Sequence, residues 1–410
     1  MIGRFSTAPR GRAGPSQGAL RRRRPRRPDL TPGAAAIPGI RTRQRLTILS
    51  ANDGLVHRRR DPDSRADKKD ATPDSITVIH LGPDHPPIVK TVYGTVPNSI
   101  SGPPYLAMTG DGHYGFVTSR SGGHEPGAPD RLSVIDLADL DLKVVQTVKL
   151  PSPKMALMHP DGRHLLVPSD AGIHVFEMRA GRLKLVKDNP TDVRLDSIAI
   201  TPKGDRVAGD GRKKGEKLAV HLFSYRDGTV EYQGQVKIRG GLPDWDGPFA
   251  SRFTPDGRRL VIPNGFGGPS KGRLDPVFLA DLTLDRPAVT EVIAQVADGI
   301  ESVAVHPSGR LAVLACLDDS PRAAVHQANS HLAVVDLTSR PPRLLYHLPV
   351  ESLPEGIEFT PDGRQLFVGL TYAHRIAVFD VDGLLLKRSP FVLRVGHGPS
   401  SMALGPRFGK

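Results

Sequence analysis

Six ionisable residues of this 410-residue chain stand at two fixed offsets from a recurring turn. The turn is written "HPDGRH" (159–164), "TPKGDR" (201–206), "TPDGRR" (254–259), "HPSGRL" (306–311) and "TPDGRQ" (360–365), with a weaker copy at 109–114. Two residues before the turn opens, most copies carry Ala107, Leu157, Ala199, Ala304 or Ala403, but two carry Arg252 and Glu358. Five residues before it come Lys154, Asp196, Glu301 and Glu355, where the other copies have Pro104, Phe249 and Ser400. Equivalent positions of a repeat face a common place. Carboxylates crowded there raise one another's pKa, whereas Lys154 and Arg252 lower it. Such a set can supply a general base and acid, or oxygen ligands for a hard cation such as Ca²⁺. Glu301, Glu355, Arg252 and Glu358 are therefore the catalytic candidates, with His397 at the same rim. Lys154 and Asp196 are candidates for ligand binding, and Asp196, Glu301 and Glu355 for any metal. The alternative, carboxylates that cap backbone amides or face channel water, stays open.

Longer connections add a second group. "SRSGGHEPGAPDR" (119–131), "PNGFGGPSKGR" (263–273) and "LDDSPRAAVHQANSH" (317–331) are long where "PSDAG" (168–172) is minimal, and long loops in compact domains are often functional. They bring Arg120, His124, Glu125, His326 and His331 to the same face as ligand-binding candidates, with Asp318 beside them. His326 and His331 lie five apart in a loop, too loose for a zinc motif. His159 and His306 open turns and read as structural, and His221 and His374 read as packing residues in third strands. Trp245, the only tryptophan, reads as packing with stacking as the alternative. Other templates are missing: no G-x-S-x-G, no phosphate-binding glycine loop and no H-E-x-x-H. The single cysteine, Cys316, lies in an apolar run, which excludes an intrachain disulfide and a c-type haem attachment.

The elements that position these residues follow from the turn. Proline presets φ at its second position, and glycine supplies the freedom that closes it. Each turn joins two strands; a third follows ("GIHVFEM", "KLAVHLFSY", "HLAVVDL") and then a fourth ("AVTEVIAQV"). Four strands repeating about every fifty residues is the pattern of a β-propeller blade. "SSMALGPRFGK" (400–410) reads as one more first strand, while "RLTILSANDG" (45–54), "SITVIHL" (75–81) and "VKTVYG" (89–94) read as second, third and fourth strands. The expectation is an all-β, seven-bladed propeller over 45–410, closed by the C-terminal strand completing the N-terminal blade.

The "PDGR-x-L-x-V … I-x-V-x-D" phrasing resembles the seven-bladed YVTN/lactonase-like propellers, which include 6-phosphogluconolactonase-type enzymes. More loosely it is similar to the methylamine dehydrogenase heavy chain and the propeller of cytochrome d1. The resemblance implies a lactonase-like hydrolase opening a cyclic ester at the channel mouth. Two alternatives stand beside it: a non-catalytic scaffold that binds a protein or ligand, and a subunit of a periplasmic redox system. No motif carries the family's catalytic residues over one by one.

Charge narrows the partners. The chain's net +13 is concentrated in residues 1–72, which hold 18 Lys and Arg against 6 acidic residues; the remainder is nearly neutral at +1. The propeller thus has no excess charge with which to track nucleic acid. Residues 1–44, with "RRRRPRRP", are too poor in apolar surface to order themselves and are expected to be a disordered tail; a charged insertion at about 53–74 is read likewise. No apolar run reaches the roughly 18 residues of a membrane span. A monomer with a small-molecule ligand in its channel, or a protein partner, is expected. No cleavable signal is legible, so the compartment reads as cytoplasmic, or periplasmic if the true start lies elsewhere.

Overall fold

The structure, a computed structural model, describes residues 40–54, 72–96, 106–120, 130–179, 181–238, 247–265, 274–318, 330–351 and 353–406. His124, Glu125, Trp245 and His326 lie outside the described residues, as do nearly all of the tail and most of the insertion at 53–74. The strands form seven antiparallel sheets of four, a seven-bladed β-propeller. Blade 1 is completed by the C-terminal strand Pro399–Pro406, which pairs with Leu46–Asn52 from Leu46↔Pro406 to Asn52↔Pro399. Blades 2 to 7 begin at Leu106, Leu157, Val193, Arg252, Ile300 and Pro354. Among the described residues there is no α-helix, only a 3-10 turn at Thr371–Ala373.

Strand periodicity explains how the ring packs. Successive side chains point to opposite faces of a sheet, and each inner strand has a neighbouring blade on both faces. Leu311, Val313 and Ala315 therefore pack towards blade 7, while Ala312, Leu314 and Cys316 pack towards blade 5. That is why these strands read as unbroken apolar runs rather than alternating ones. Among the described residues seven large apolar clusters result, one at each junction between consecutive blades, with a small eighth of Leu317 and Leu353 between blades 6 and 7. Cys316 is wholly buried in one of them, and burial pushes its thiol well above the ordinary range. The outermost strands, such as Ile88–Tyr93 and Val144–Lys149, face neighbours on the inside only and are largely exposed.

The repeated turn joins blades as well as strands. In its Thr form, Thr360 Oγ1 donates to Asp362 Oδ1 at 2.7 Å and accepts the Gln365 amide at 3.0 Å. In its His form the ring reaches the next blade. His159 Nε2 donates to the Gly204 carbonyl at 3.0 Å, and His306 Nε2 donates to that of Gly363 at 2.8 Å. Gly204 and Gly363 have φ of 78° and 70°, and a Cβ on either would sit 2.4 or 2.2 Å from the histidine Nε2. Arginines extend the stitching: Arg206 donates to the Leu282 carbonyl at 2.9 Å, and Arg259 to that of Leu337 at 3.0 Å. His159 and His306 are structural, as the sequence suggests. His221 is fully buried in its third strand. His374 departs from expectation: it follows the 3-10 turn at φ 52°, just ahead of the third strand, where its Nδ1 accepts the Gly398 amide at 3.1 Å.

Gly363→Ala is expected to destabilise the propeller by about 2 kcal/mol or more, combining left-handed strain with a damaged latch. Chemical denaturation checks this. In a cycle with His306→Ala the double variant should lose less than the sum of the two single losses, because the clash needs both side chains.

Candidate functional site

Around the axis the first strands line a chamber of about 410 Å³. Ala107, Leu157, Ala199, Arg252, Glu358 and Ala403 all face it, six of the seven equivalents two residues before the turn. Turn residues Thr109, Pro160 and Thr201 also line it, so the chamber lies at the turn end of the channel. Most of its wall is Ala, Leu, Met, Ile and Phe; among the described residues Arg252 and Glu358 are its only charged ones. They come from blades 5 and 7, with blade 6 between, and make no ion pair with each other, though their charges interact. Burial drives the Glu358 carboxyl up to about 7, against the opposing pull of Arg252. Burial likewise lowers the guanidinium pKa of Arg252, with Glu358 and Asp210 opposing it.

Arg252 is held by a buried network across blades 4 and 5. Asp210, 2 % exposed, accepts from Ser197 Oγ at 2.7 Å, from Ser251 Oγ at 2.7 Å and from the Ser251 amide at 2.9 Å. Ser197 Oγ in turn accepts the Ala250 amide at 3.0 Å, which fixes Ala250 at φ 54°. Arg252 donates to the Ser251 carbonyl at 3.1 Å. The strained Ala250 is thus held by side chains of blade 4, and the guanidinium hangs from the chain so positioned. Sequence reasoning missed this support. Its signal was there: "VAGDG" puts Asp210 in a second strand where other copies have Pro168, Pro263, Ala315 or Gly369.

The residues five before the turn form a separate group, about 10 Å along the strands at 3.3 Å per residue. Lys154, 1 % exposed, donates to Ser152 Oγ at 3.0 Å and pairs with Asp170 at 3.3 Å. Burial and the charges of Arg120 and Arg194 push its pKa down. Asp196 is half-buried; burial raises its carboxyl, while Lys154, Arg194, Arg120 and Arg212 draw it back. Lys154, Asp196 and Arg120 therefore share one electrostatic cluster, richer in cations than the sequence reading anticipated. Glu355 is buried and turned to the blade interior: its carboxylate accepts from Thr371 Oγ1 at 3.2 Å, and its carbonyl from Ser302 Oγ at 2.7 Å. Glu301 is also buried, 5 % exposed. Asp196, Glu301 and Glu355, from three different blades, do not form a metal-binding cluster among the described residues, and the Glu355 carboxylate bonds within its own blade. Neither Glu301 nor Glu355 lines the chamber of Arg252 and Glu358.

The histidine candidates are elsewhere again. His397 stacks on His374 with ring centroids 4.3 Å apart, and Thr72 Oγ1 lies 3.2 Å from its Nδ1. His331 pairs with Asp318, and its ring packs 4.2 Å from that of His347. Burial raises the Asp318 carboxyl while His331 opposes it, and its other oxygen accepts the Asp298 amide at 2.8 Å.

No family model matches the chain, and no curated protein does. Solved structures do. A candidate 6-phosphogluconolactonase of Bacteroides fragilis is 16 % identical with a TM-score of 0.61, covering 88 % of this chain and 98 % of its own. The periplasmic gluconolactonase of Pseudomonas aeruginosa is 16 % identical at 0.60, covering 88 % and 99 %. Hydrazine synthase of Kuenenia stuttgartiensis is 19 % identical at 0.56, covering 75 % and 91 %. The likeness is one of fold. It places the chain beside lactonase-like propellers and beside a protein of quite different chemistry, so function rests on the site.

Glu358→Gln gives a check on the chamber's electrostatics. A carboxyl raised to about 7 from an ordinary 4.5 opposes folding increasingly as pH climbs between those values, and constantly above them. The variant should therefore melt above the wild type at pH 8 and level with it near pH 4, by calorimetry.

Proposed function

We propose that this propeller is a hydrolase that opens a small cyclic ester in the chamber at the turn end of its channel. The observation that carries the reading is the pair Arg252 and Glu358, opposed but not in contact across an otherwise apolar space. A chamber of about 410 Å³ falls in the range of small-molecule sites, roughly 300–1,000 Å³, and suits a five- or six-membered ring. A carboxyl near 7 is half ionised at neutral pH, so it can both take and return a proton. Glu358 as carboxylate removes a proton from water while the water oxygen attacks the ester carbonyl. Arg252 faces the charge that develops on the carbonyl oxygen, in a setting of low dielectric where a fixed cation counts for more. The tetrahedral adduct then breaks the ring C–O bond, and protonated Glu358 returns its proton to the departing alkoxide. The product is a hydroxy acid, whose carboxylate and hydroxyl suit an apolar wall less well than the ring did. Asp210 and Ser251 act through Arg252 as positioning residues. Lys154 and Asp196 lie at the other end of the channel and take no part in the chemical step. The chain is proposed to act alone, as a monomer.

The test is hydrolysis of simple and sugar-acid lactones by the full chain. kcat/KM should rise with pH to a plateau, with an apparent pKa of about 7. Glu358→Gln should lose about 10²-fold or more and Arg252→Met about 10²- to 10³-fold. Glu355→Gln, whose carboxylate bonds Thr371 outside the chamber, should alter stability but not the pH profile. Hydrolysis that persists in Glu358→Gln would sink the assignment.

A further inference from the structure

Blade 3 carries a group of side chains that its structural duty does not explain. His159, Asp161 and His164 each offer a ligand atom, and all three atoms lie within 4.8 Å of one another. Asp161 Oδ1 is occupied by the Arg163 and His164 amides at 2.8 and 3.0 Å. Its Oδ2 instead faces two imidazoles, 3.0 Å from His159 Nδ1 and 2.6 Å from His164 Nδ1. The His159 ring has its tautomer set from behind, because Nε2 must carry the proton to donate to the Gly204 carbonyl at 3.0 Å. Its Nδ1 is then an acceptor, as the Asp161 amide donating to it at 3.1 Å confirms. Two acceptors, a ring lone pair and a carboxylate oxygen, therefore face each other at 3.0 Å. A cation between them would turn that repulsion into two bonds. A backbone carbonyl holding the far ring N–H is also how metal-bound histidines are usually oriented.

The repeat supplies an internal control. His306 makes the same latch to Gly363, but its Nδ1 faces Ser308 Oγ at 2.7 Å, a hydroxyl that can donate. Leu311 stands there in place of His164, wholly buried. Asp161 belongs to the ordinary Pro-Asp-Gly turn, where Asp362 accepts the same amide, but the latch needs no second histidine, so His164 beside His159 is where blade 3 departs in the direction of metal ligation. We propose that His159, Asp161 and His164 form a divalent transition-metal site of the zinc type on the turn face of blade 3. Two imidazoles and one carboxylate suit Zn²⁺, with water filling the outer position. Zinc bonds of about 2.0–2.2 Å ask ligand atoms to stand about 3.3 Å apart in a tetrahedron. His164 sits at the partly exposed edge, with a side chain 14 % exposed, and has room to adjust; its proton moves to Nε2 as Nδ1 binds.

The site is tested on the full chain with zinc alone, titrated calorimetrically at pH 7.5. One equivalent should bind saturably and raise the melting temperature, and Co²⁺ should give visible d–d absorption. His164→Ala and Asp161→Asn should each weaken binding about tenfold or more. His85→Asn, remote from the site, should leave it unchanged. The two variants remove different ligands, so misfolding of one leaves the other to decide. Absence of saturable zinc binding, or equal binding by the wild type and both variants, would overturn the proposal.

Discussion

The antiparallel pairing of Pro399–Pro406 with Leu46–Asn52 is the constraint on which the rest of this structure depends. Two distant parts of the chain must meet to complete one sheet. Only then does every blade have a neighbour on each side, and only then is each inner strand buried on both faces. An open arc would leave the apolar faces of two blades in water. The closed ring buries seven junctions, and Leu or Phe side chains at each contribute roughly 1.5–3 kcal/mol when fully buried. The histidine and arginine links between turns and neighbouring blades then fix the stagger of one sheet on the next.

Closure also makes the site. It brings the first strands round one axis, so a position two residues before the turn becomes a ring position in a narrow chamber. Alanine there is what the space asks for. A charged residue at that level meets little water and meets every other charge at that level, which is why Arg252 and Glu358 act on each other from non-adjacent blades without touching. The strain at Ala250 and the buried Asp210 belong to the same arrangement, since they spend stability on the placement of one guanidinium. At the opposite end of the channel, Lys154 and Asp196 sit among arginines, with a different character and no part in the chamber.

The architecture was legible because it is written in turn chemistry and strand periodicity, both local. The Pro-Asp-Gly turns, the four strands per repeat and the split first blade all read correctly from spacing. Aligning the repeats also exposed Arg252 and Glu358 as departures at a channel position. What could not be read was direction. Glu301 and Glu355 share an offset with Lys154, but whether a side chain enters the channel or turns back to Thr371 depends on contacts made across the blade. Asp210 was overlooked because a strand residue was judged by its own strand, whereas its hydrogen bonds go to the next one. His159 is a turn residue, as its spacing implies; that its second nitrogen faces a carboxylate depends on side-chain placement that spacing does not give.

Burial within the closed ring holds the Glu358 carboxyl near neutrality while Arg252 draws it down. Carbon-13 labelling of glutamate and direct titration of the Glu358 carboxyl by NMR test this without any substrate. A midpoint of about 7 is predicted, moving higher in Arg252→Met as the opposing cation is lost. A midpoint at the ordinary 4.5, or one indifferent to Arg252, would contradict the account.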